Sequence, residues 1–213
     1  MFVKLRMTAN PFTVTPHHTV PQAIKLMEQH RVRQLPVLSD GELVGVISHG
    51  DIAAASPSRA TSLADREITY LMDKLKVGKV MSKHPVTVAP DSLLEEAAVL
   101  MRDRKIEMLP VLDGHRLVGV ITESDLLDAF IELLGFRDHG TRLTVDAADV
   151  PGALSKLTAI TARFGANISH LAVFRGATGR SEVVVGVNSQ DTAEMEAAIK
   201  SEGFEVVHRL EIG

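Results

Sequence analysis

The apolar positions of this chain fall into short strand-like runs separated by stretches of helical period. Pro11-Phe12-Thr13-Val14 reads as a short strand stopped by Pro16. Val20, Ala23, Ile24 and Met27 recur at helical spacing, with Pro21 suited to the first turn of that helix. Leu35-Pro36-Val37-Leu38 is a second strand, Asp40-Gly41 a hairpin-type turn and Leu43 to Ile47 a third strand. A second helix starts near Asp51 and stops around Ser56-Pro57. The order β-α-β-β-α is complete by about Ser58, a length too short to build a good core alone.

The pattern then returns. A polar linker over 58–61 leads into Ser62-Leu63-Ala64-Asp65, a capping box. The helix it opens carries Ala64, Ile68, Leu71, Met72 and Leu75 on its apolar face. From Val77 the first pattern restarts at a constant offset of 74, and positions 11–53 match 85–127 at seventeen of forty-three places. The best-kept stretch is Leu43-Val44-Gly45-Val46-Ile47-Ser48-His49-Gly50-Asp51, repeated as Leu117-Val118-Gly119-Val120-Ile121-Thr122-Glu123-Ser124-Asp125. Each copy leaves an apolar face that the other can cover. Such a pseudo-twofold pair has two equivalent clefts between its copies.

After Gly135 to Gly140 the period changes again. Arg142 to Asp146 is a strand, and Asp149-Val150-Pro151-Gly152-Ala153-Leu154 opens a helix striped by Leu154, Leu157, Thr158, Ile160 and Thr161 and ended by Gly165. Asn167 to Arg175 and Ser181 to Val187 pair across a Gly176-Ala177-Thr178-Gly179 loop. Asp191 to Ser201 is a helix closed by Gly203, and Phe204 to Ile212 a last strand. The order β-α-β-β-α-β is that of a ferredoxin-like fold. The fold class is therefore α+β, divided as 1–58 (first repeat), 59–137 (connector helix and second repeat) and 140–213 (ferredoxin-like segment).

Composition narrows the function. A net charge of −4 and 4% aromatic residues without Trp give little for nucleic acid to hold. No apolar run reaches the roughly 18 residues of a membrane span, and the N-terminus lacks a signal-peptide pattern. The absence of Cys removes disulfides and thiolate chemistry and fits a cytoplasmic protein. The nine histidines have no metal-ligand spacing, and no P-loop, G-x-G-x-x-G or G-x-S-x-G is present. We expect no catalytic residue, no metal site and no required cofactor.

Two copies of (strand)-T-V-x-P-(helix)-L-P-V-(turn)-L-V-G-V-I-[ST]-x-x-D resemble a pair of cystathionine-β-synthase (CBS) domains, a Bateman module, over residues 1 to about 137. The resemblance implies sensing of an adenosyl ligand: AMP, ADP, ATP or S-adenosylmethionine. It implies that Asp51 and Asp125 accept hydrogen bonds from ribose hydroxyls and that Ser48 and Thr122 meet the ribose or phosphate. The chemistry suits them, because an ionised carboxylate is acceptor-only and a helix start offers N–H groups to phosphate. Arg33, just before the second strand, matches a residue that faces phosphate in related modules, whereas its counterpart Glu107 repels an anion. One good site and one weak or empty site are expected. Other readings stay open: Ser48-x-x-Asp51 and Thr122-x-x-Asp125 are also capping boxes, and Arg33 is also a helix-end surface charge.

The string D-x-P-G-A-L-x-x-L-T-(x6)-G-A-N-I, from Asp149 to Ile168, resembles an ACT domain, a small regulatory unit that commonly binds amino acids. It implies a ligand held where Asp149, Pro151, Gly152, Ala153 and Leu154 meet Asn167 and Ile168 of a neighbouring subunit. The alternative is a plain helix start with Asp149 as its cap. A CBS pair followed directly by an ACT domain is similar to the acetoin utilisation B-type proteins, which implies a link to acetoin catabolism without supplying a mechanism. The expected function is a non-catalytic regulator that forms a homodimer, responds to an adenine nucleotide by rotation about the Gly135–Gly140 linker, and signals to a protein partner. A ligand-free interaction scaffold is the alternative, and a small enzyme hidden in a cleft the weakest reading.

Overall fold

The computed structural model describes residues 1–55, 73–176 and 179–213. Expectations for Ser56-Pro57, the linker over 58–61, the Ser62–Asp65 box, the Ala64, Ile68, Leu71 and Met72 face, and loop residues Ala177 and Thr178 lie outside these. The chain divides into two compact units, Met1–Leu126 and Leu127–Gly213.

The first unit contains β1 (Thr8–Ala9), α1 (Val20–His30), β2 (Gln34–Ser39), β3 (Glu42–Ser48) and α2 (His49–Ala55). Its second repeat has α3 (Val77–Val80), β4 (Ser82–Lys83), α4 (Leu94–Arg104), β5 (Met108–Asp113) and β6 (Arg116–Thr122), followed by α5 (Glu123–Leu133), which runs through the division. Helix α1 starts on a full capping box, in which the Gln22 N–H donates to Thr19 Oγ1 and the Thr19 N–H to Gln22 Oε1. The β2–β3 hairpin turns through Asp40 and Gly41, both at positive φ, as a two-residue loop between right-twisted strands requires. The expected strand at Pro11–Val14 is reduced to one parallel bridge, Val14 to Val37. Pro11 and Pro16 have no N–H to donate to a ladder.

The strand segments preceding each repeat are exchanged. β1 pairs antiparallel with β6, Thr8 opposite Val120 and Ala9 opposite Gly119. β4 pairs with β3, Ser82 opposite Val46 and Lys83 opposite Gly45. The two registers map onto each other by the same offset of 74. Val77 enters the core of Val14, Val20, Ala23, Met27, Leu35, Val37, Ile47 and Ile52. Val3, its counterpart, is fully buried, and its N–H donates to the Ser92 carbonyl of the second repeat. The two repeats thus share one six-stranded sheet, with Val46, Met108 and Val120 forming a small apolar cluster. A repeat too small to fold alone is completed by its twin.

The second unit carries β7 (Gly140–Ala148), α6 (Ala153–Arg163), β8 (Ile168–Arg175), β9 (Arg180–Val187), α7 (Ala193–Ser201) and β10 (Glu205–Ile212). Its antiparallel sheet has the order β10-β7-β9-β8, the expected ferredoxin-like arrangement. Leu157, Ile160, Met195 and Ile199 of the helices pack on Leu143, Val145, Val183, Val185 and Val187. On the opposite face the His170 imidazole lies against Gly186 and Gly135, where a methyl group on either glycine overlaps the ring. Its Nδ1 is 3.5 Å from Asp138 Oδ2, and its buried Nε2 has no partner among the described residues. Gly186→Ala is expected to lose about 1–3 kcal/mol of stability by overpacking. His170→Ala in the same background should recover part of the loss in urea denaturation, as coupled neighbours do.

Candidate functional site

The two Ser/Thr–Asp motifs stand at equivalent places, at the end of β3 before α2 and at the end of β6 before α5. In the first, the Ser48 N–H and hydroxyl both donate to Asp51 Oδ2, and the Asp51 N–H donates to Ser48 Oγ at 3.1 Å. In the second, the Thr122 N–H and hydroxyl donate to Asp125 Oδ2 at 2.8 and 2.7 Å, and the Asp125 N–H to Thr122 Oγ1 at 3.3 Å. Both capping boxes are therefore complete. Each consumes one carboxylate oxygen and leaves the other for a further donor. Asp51 Oδ1 accepts from the Ser82 hydroxyl of exchanged strand β4 at 2.8 Å. Thr8 of β1 stands in the equivalent position for Asp125, and no such bond is formed there among the described residues.

Each motif opens on a cavity between the repeats. The Asp51 cavity, about 460 Å³, is lined by Ser48, His49 and Ser82 and by Lys105, Glu107 and Met108 from the second repeat, with Arg33 beside the motif. The Asp125 cavity, about 550 Å³, is lined by Thr122, Glu123 and Thr8 and by Arg31, Arg33 and Gln34 from the first repeat, with Glu107 beside the motif. Both volumes lie in the range of about 300–1,000 Å³ usual for small-molecule sites. The expectation that Arg33 serves one cleft and Glu107 the other is corrected: both residues line both cavities, because the strand starts that carry them meet at the pseudo-twofold axis. There Gln34 Nε2 donates to Glu107 Oε2 at 3.3 Å.

Arg31 and Lys105 are cleft residues that the sequence reading did not single out. Each closes its helix at a left-handed position, φ 54° and 56°, where glycine is the usual residue. A side chain there costs about 1 kcal/mol or more in backbone strain. The chain keeps a long cation at this position in both repeats, and each reaches the cleft whose aspartate belongs to the other repeat. Their identical offset in the sequence was the available signal.

In the second unit, Gly152 is the N-cap of α6 at φ 90° and makes no side-chain cap bond. Asp149 is thus not the cap. Its carboxylate instead lies 3.5 Å from Arg175 Nε, and its N–H donates to the Gly179 carbonyl. Pro151 sits in the turn before Gly152, and the helix starts at Ala153. A cavity of about 420 Å³ gathers Asp149, Pro151, Gly152, Ala153 and Leu154 with Arg175 and Ser181. The Ser181 hydroxyl is buried without a partner among the described residues. Asn167 and Ile168 do not line this cavity; the Asn167 N–H donates to Asn188 Oδ1 at 2.8 Å. No group of acidic or histidine side chains among the described residues is arranged to hold a metal ion. No helix among them is long and apolar enough to cross a membrane.

Comparison with known proteins agrees with this architecture. The CBS domain model matches residues 3–58 and 77–132, and the TTHA0829-like ACT domain model matches 139–209. A solved structure of CBSX2 in complex with AMP is 32% identical, with 62% of this chain and 96% of that chain covered and a TM-score of 0.51. A Vibrio cholerae protein described as an acetoin utilization protein, AcuB, is also 32% identical, covering 65% of this chain and 96% of its own, with a TM-score of 0.54. The CBS domain pair of protein MJ0100, solved with 5′-methylthioadenosine and S-adenosyl-L-methionine, is 26% identical over 61% of this chain and 95% of that one, at a TM-score of 0.51. On these matches and the exchanged two-repeat fold, the chain belongs to the CBS domain family, with two CBS domains followed by an ACT-like domain.

Proposed function

We propose that this protein is a non-catalytic sensor that binds an adenine nucleotide or related adenosyl compound between its CBS repeats and signals by changing shape. The observation that carries this reading is the pair of equivalent cavities, each lined by a Ser/Thr–Asp motif and two cations, at least one of them from the repeat opposite the motif. The AMP and S-adenosylmethionine complexes of its structural relatives support the ligand class. The site residues are Ser48, Asp51, Thr122, Asp125 and Arg33, to which we add Arg31 and Lys105. Helix α5 begins on the Thr122–Asp125 box and continues to Leu133, so a ligand that tilts the box tilts a continuous rod. A ligand acts in this way only through different affinities for two arrangements.

The proposal extends to a homodimer in the cytoplasm, to an amino acid bound in the Asp149–Leu154 cavity, and to a protein partner whose activity the sensor adjusts. Similarity to AcuB supports a role connected with acetoin use. The complete capping boxes favour a second reading, a ligand-free interaction scaffold, because both motifs have a structural job without any ligand.

Thermal unfolding with AMP, ADP, ATP and S-adenosylmethionine separates the two. A ligand at a hundred times its dissociation constant adds about 2.7 kcal/mol to the state it binds, which for this length is on the order of 5–10 °C. No shift with any of the four supports the scaffold and rejects the sensor.

A further inference from the structure

We infer that the two clefts select different adenosyl ligands: the Asp51 cleft a phosphate-bearing nucleotide, the Asp125 cleft a nucleoside whose 5′ substituent is neutral or cationic. This rests on the adenosyl-sensor reading and specifies it.

The pseudo-twofold offset allows the charged lining of the clefts to be compared position by position. Lys105 in the Asp51 cleft is matched by Arg31 in the Asp125 cleft, so that charge is kept. Arg33 and Glu107 line both. The uncompensated difference is Glu123 in the place of His49, an extra carboxylate, each the first residue of the helix that opens within its motif. Backbone bonds fix the neighbours of these two side chains. The His49 N–H donates to the Arg33 carbonyl at 3.2 Å, and the Glu123 N–H to the Glu107 carbonyl at 3.1 Å. One cleft therefore has Arg33 and His49 side by side beside its motif, and the other has Glu107 and Glu123. At neutral pH the Asp51 cleft holds two cations and two carboxylates; the Asp125 cleft holds two cations and three carboxylates. An anion brought against paired glutamates is repelled, and a neutral or cationic substituent is not.

The free oxygens of the two aspartates point the same way. Asp51 Oδ1 already accepts from the Ser82 hydroxyl, so a ribose diol has only the remaining lone pair of that oxygen and a larger share of the affinity has to come from the phosphate end. Asp125 has no second hydroxyl partner among the described residues, which leaves its Oδ1 for the diol. At this cleft the sugar supplies the affinity and a phosphate reduces it.

Calorimetric titration of the full-length chain with AMP and with adenosine, in the wild type, Asp51→Asn and Asp125→Asn, tests the split. AMP binding is expected to weaken about 10- to 100-fold in Asp51→Asn and to be kept in Asp125→Asn, with the opposite pattern for adenosine. The two ligands should bind together without competing. The double variant Glu107→Arg, Glu123→His should raise AMP affinity in the Asp125 cleft by about tenfold or more and add a second AMP site. Loss of both ligands in the same single variant, or full competition between them, overturns the split while leaving the sensor reading standing. Failure of both ligands to bind the wild type overturns the sensor reading and the split with it.

Discussion

A methyl group added at Gly45 or at Gly119 is expected to destabilise the first unit by about 2–3 kcal/mol, among the larger costs of a small overpacking change. These glycines sit in the middle of β3 and β6, where the exchanged segments cross. A Cβ on Gly45 meets Met81 Sδ and the Ser82 backbone carbonyl at 2.8 Å, and one on Gly119 meets Met7 Sδ at 2.6 Å and the Thr8 carbonyl at 3.0 Å. The methionine side chains can turn away. The carbonyls cannot, because they belong to the strands whose pairing joins the repeats. Relief therefore means releasing β4 from β3 or β1 from β6, and with it the strands that bring Ser82 and Thr8 to the clefts. Gly50→Ala is the control: only Ser48 Oγ, at 3.5 Å, lies near its added methyl, and in a helix Ala is favoured over Gly by up to about 1 kcal/mol. Urea denaturation should show lower midpoints for Gly45→Ala and Gly119→Ala and an unchanged or higher one for Gly50→Ala. Equal midpoints for all three would mean the exchange does not hold the repeats together.

Asp51→Asn and Asp125→Asn should each weaken the ligand of their own cleft by about 10- to 100-fold, at little cost in stability. Asparagine keeps one oxygen for the Ser48 or Thr122 N–H, and the Ser48 or Thr122 hydroxyl still accepts from the backbone N–H of that residue, so the capping box survives in part. The amide nitrogen then faces the ligand where the second carboxylate oxygen stood, presenting a donor to hydroxyls that need an acceptor. A hydrogen bond to a charged group is worth about 1.5–3 kcal/mol, which corresponds to that range of affinity. A purely structural role for the aspartates predicts the reverse: a loss in melting temperature on the order of the cap energy and no ligand to lose. Titration and melting on the same variants therefore distinguish site from cap.

The repeat was legible because the offset of 74 carries Leu35-Pro36-Val37-Leu38 and Leu43 to Ile47 onto their second copies almost unchanged. The exchange of Met1–Ala9 and Val77–Lys83 was not. β1 and β4 are two exposed residues each, too short for any period to show. Their places follow from pairing across the repeats rather than from local preference. The same cause hid Ser82 and Thr8, whose side chains reach a motif from the other copy's leading strand. Arg31 and Lys105 were visible as matching cations, but their direction depends on a left-handed helix end that non-glycine residues seldom adopt. In the second unit the turn at Pro151-Gly152 was legible, and of the readings left open there the plain cap on Asp149 is set aside: the helix begins after the glycine, and Asp149 pairs with Arg175. Helix boundaries elsewhere moved by a few residues, as at α2, which starts at His49 rather than near Asp51.

We propose above all that the two cavities of the CBS pair are adenosyl sites built on Asp51 and Asp125. Equilibrium dialysis of labelled AMP and labelled adenosine against the wild type and the Asp51→Asn, Asp125→Asn double variant tests it most directly. Saturable binding of both by the wild type is expected, with loss of both in a double variant that remains folded by circular dichroism. Binding that survives in the double variant, or a wild type that retains neither compound, would contradict it.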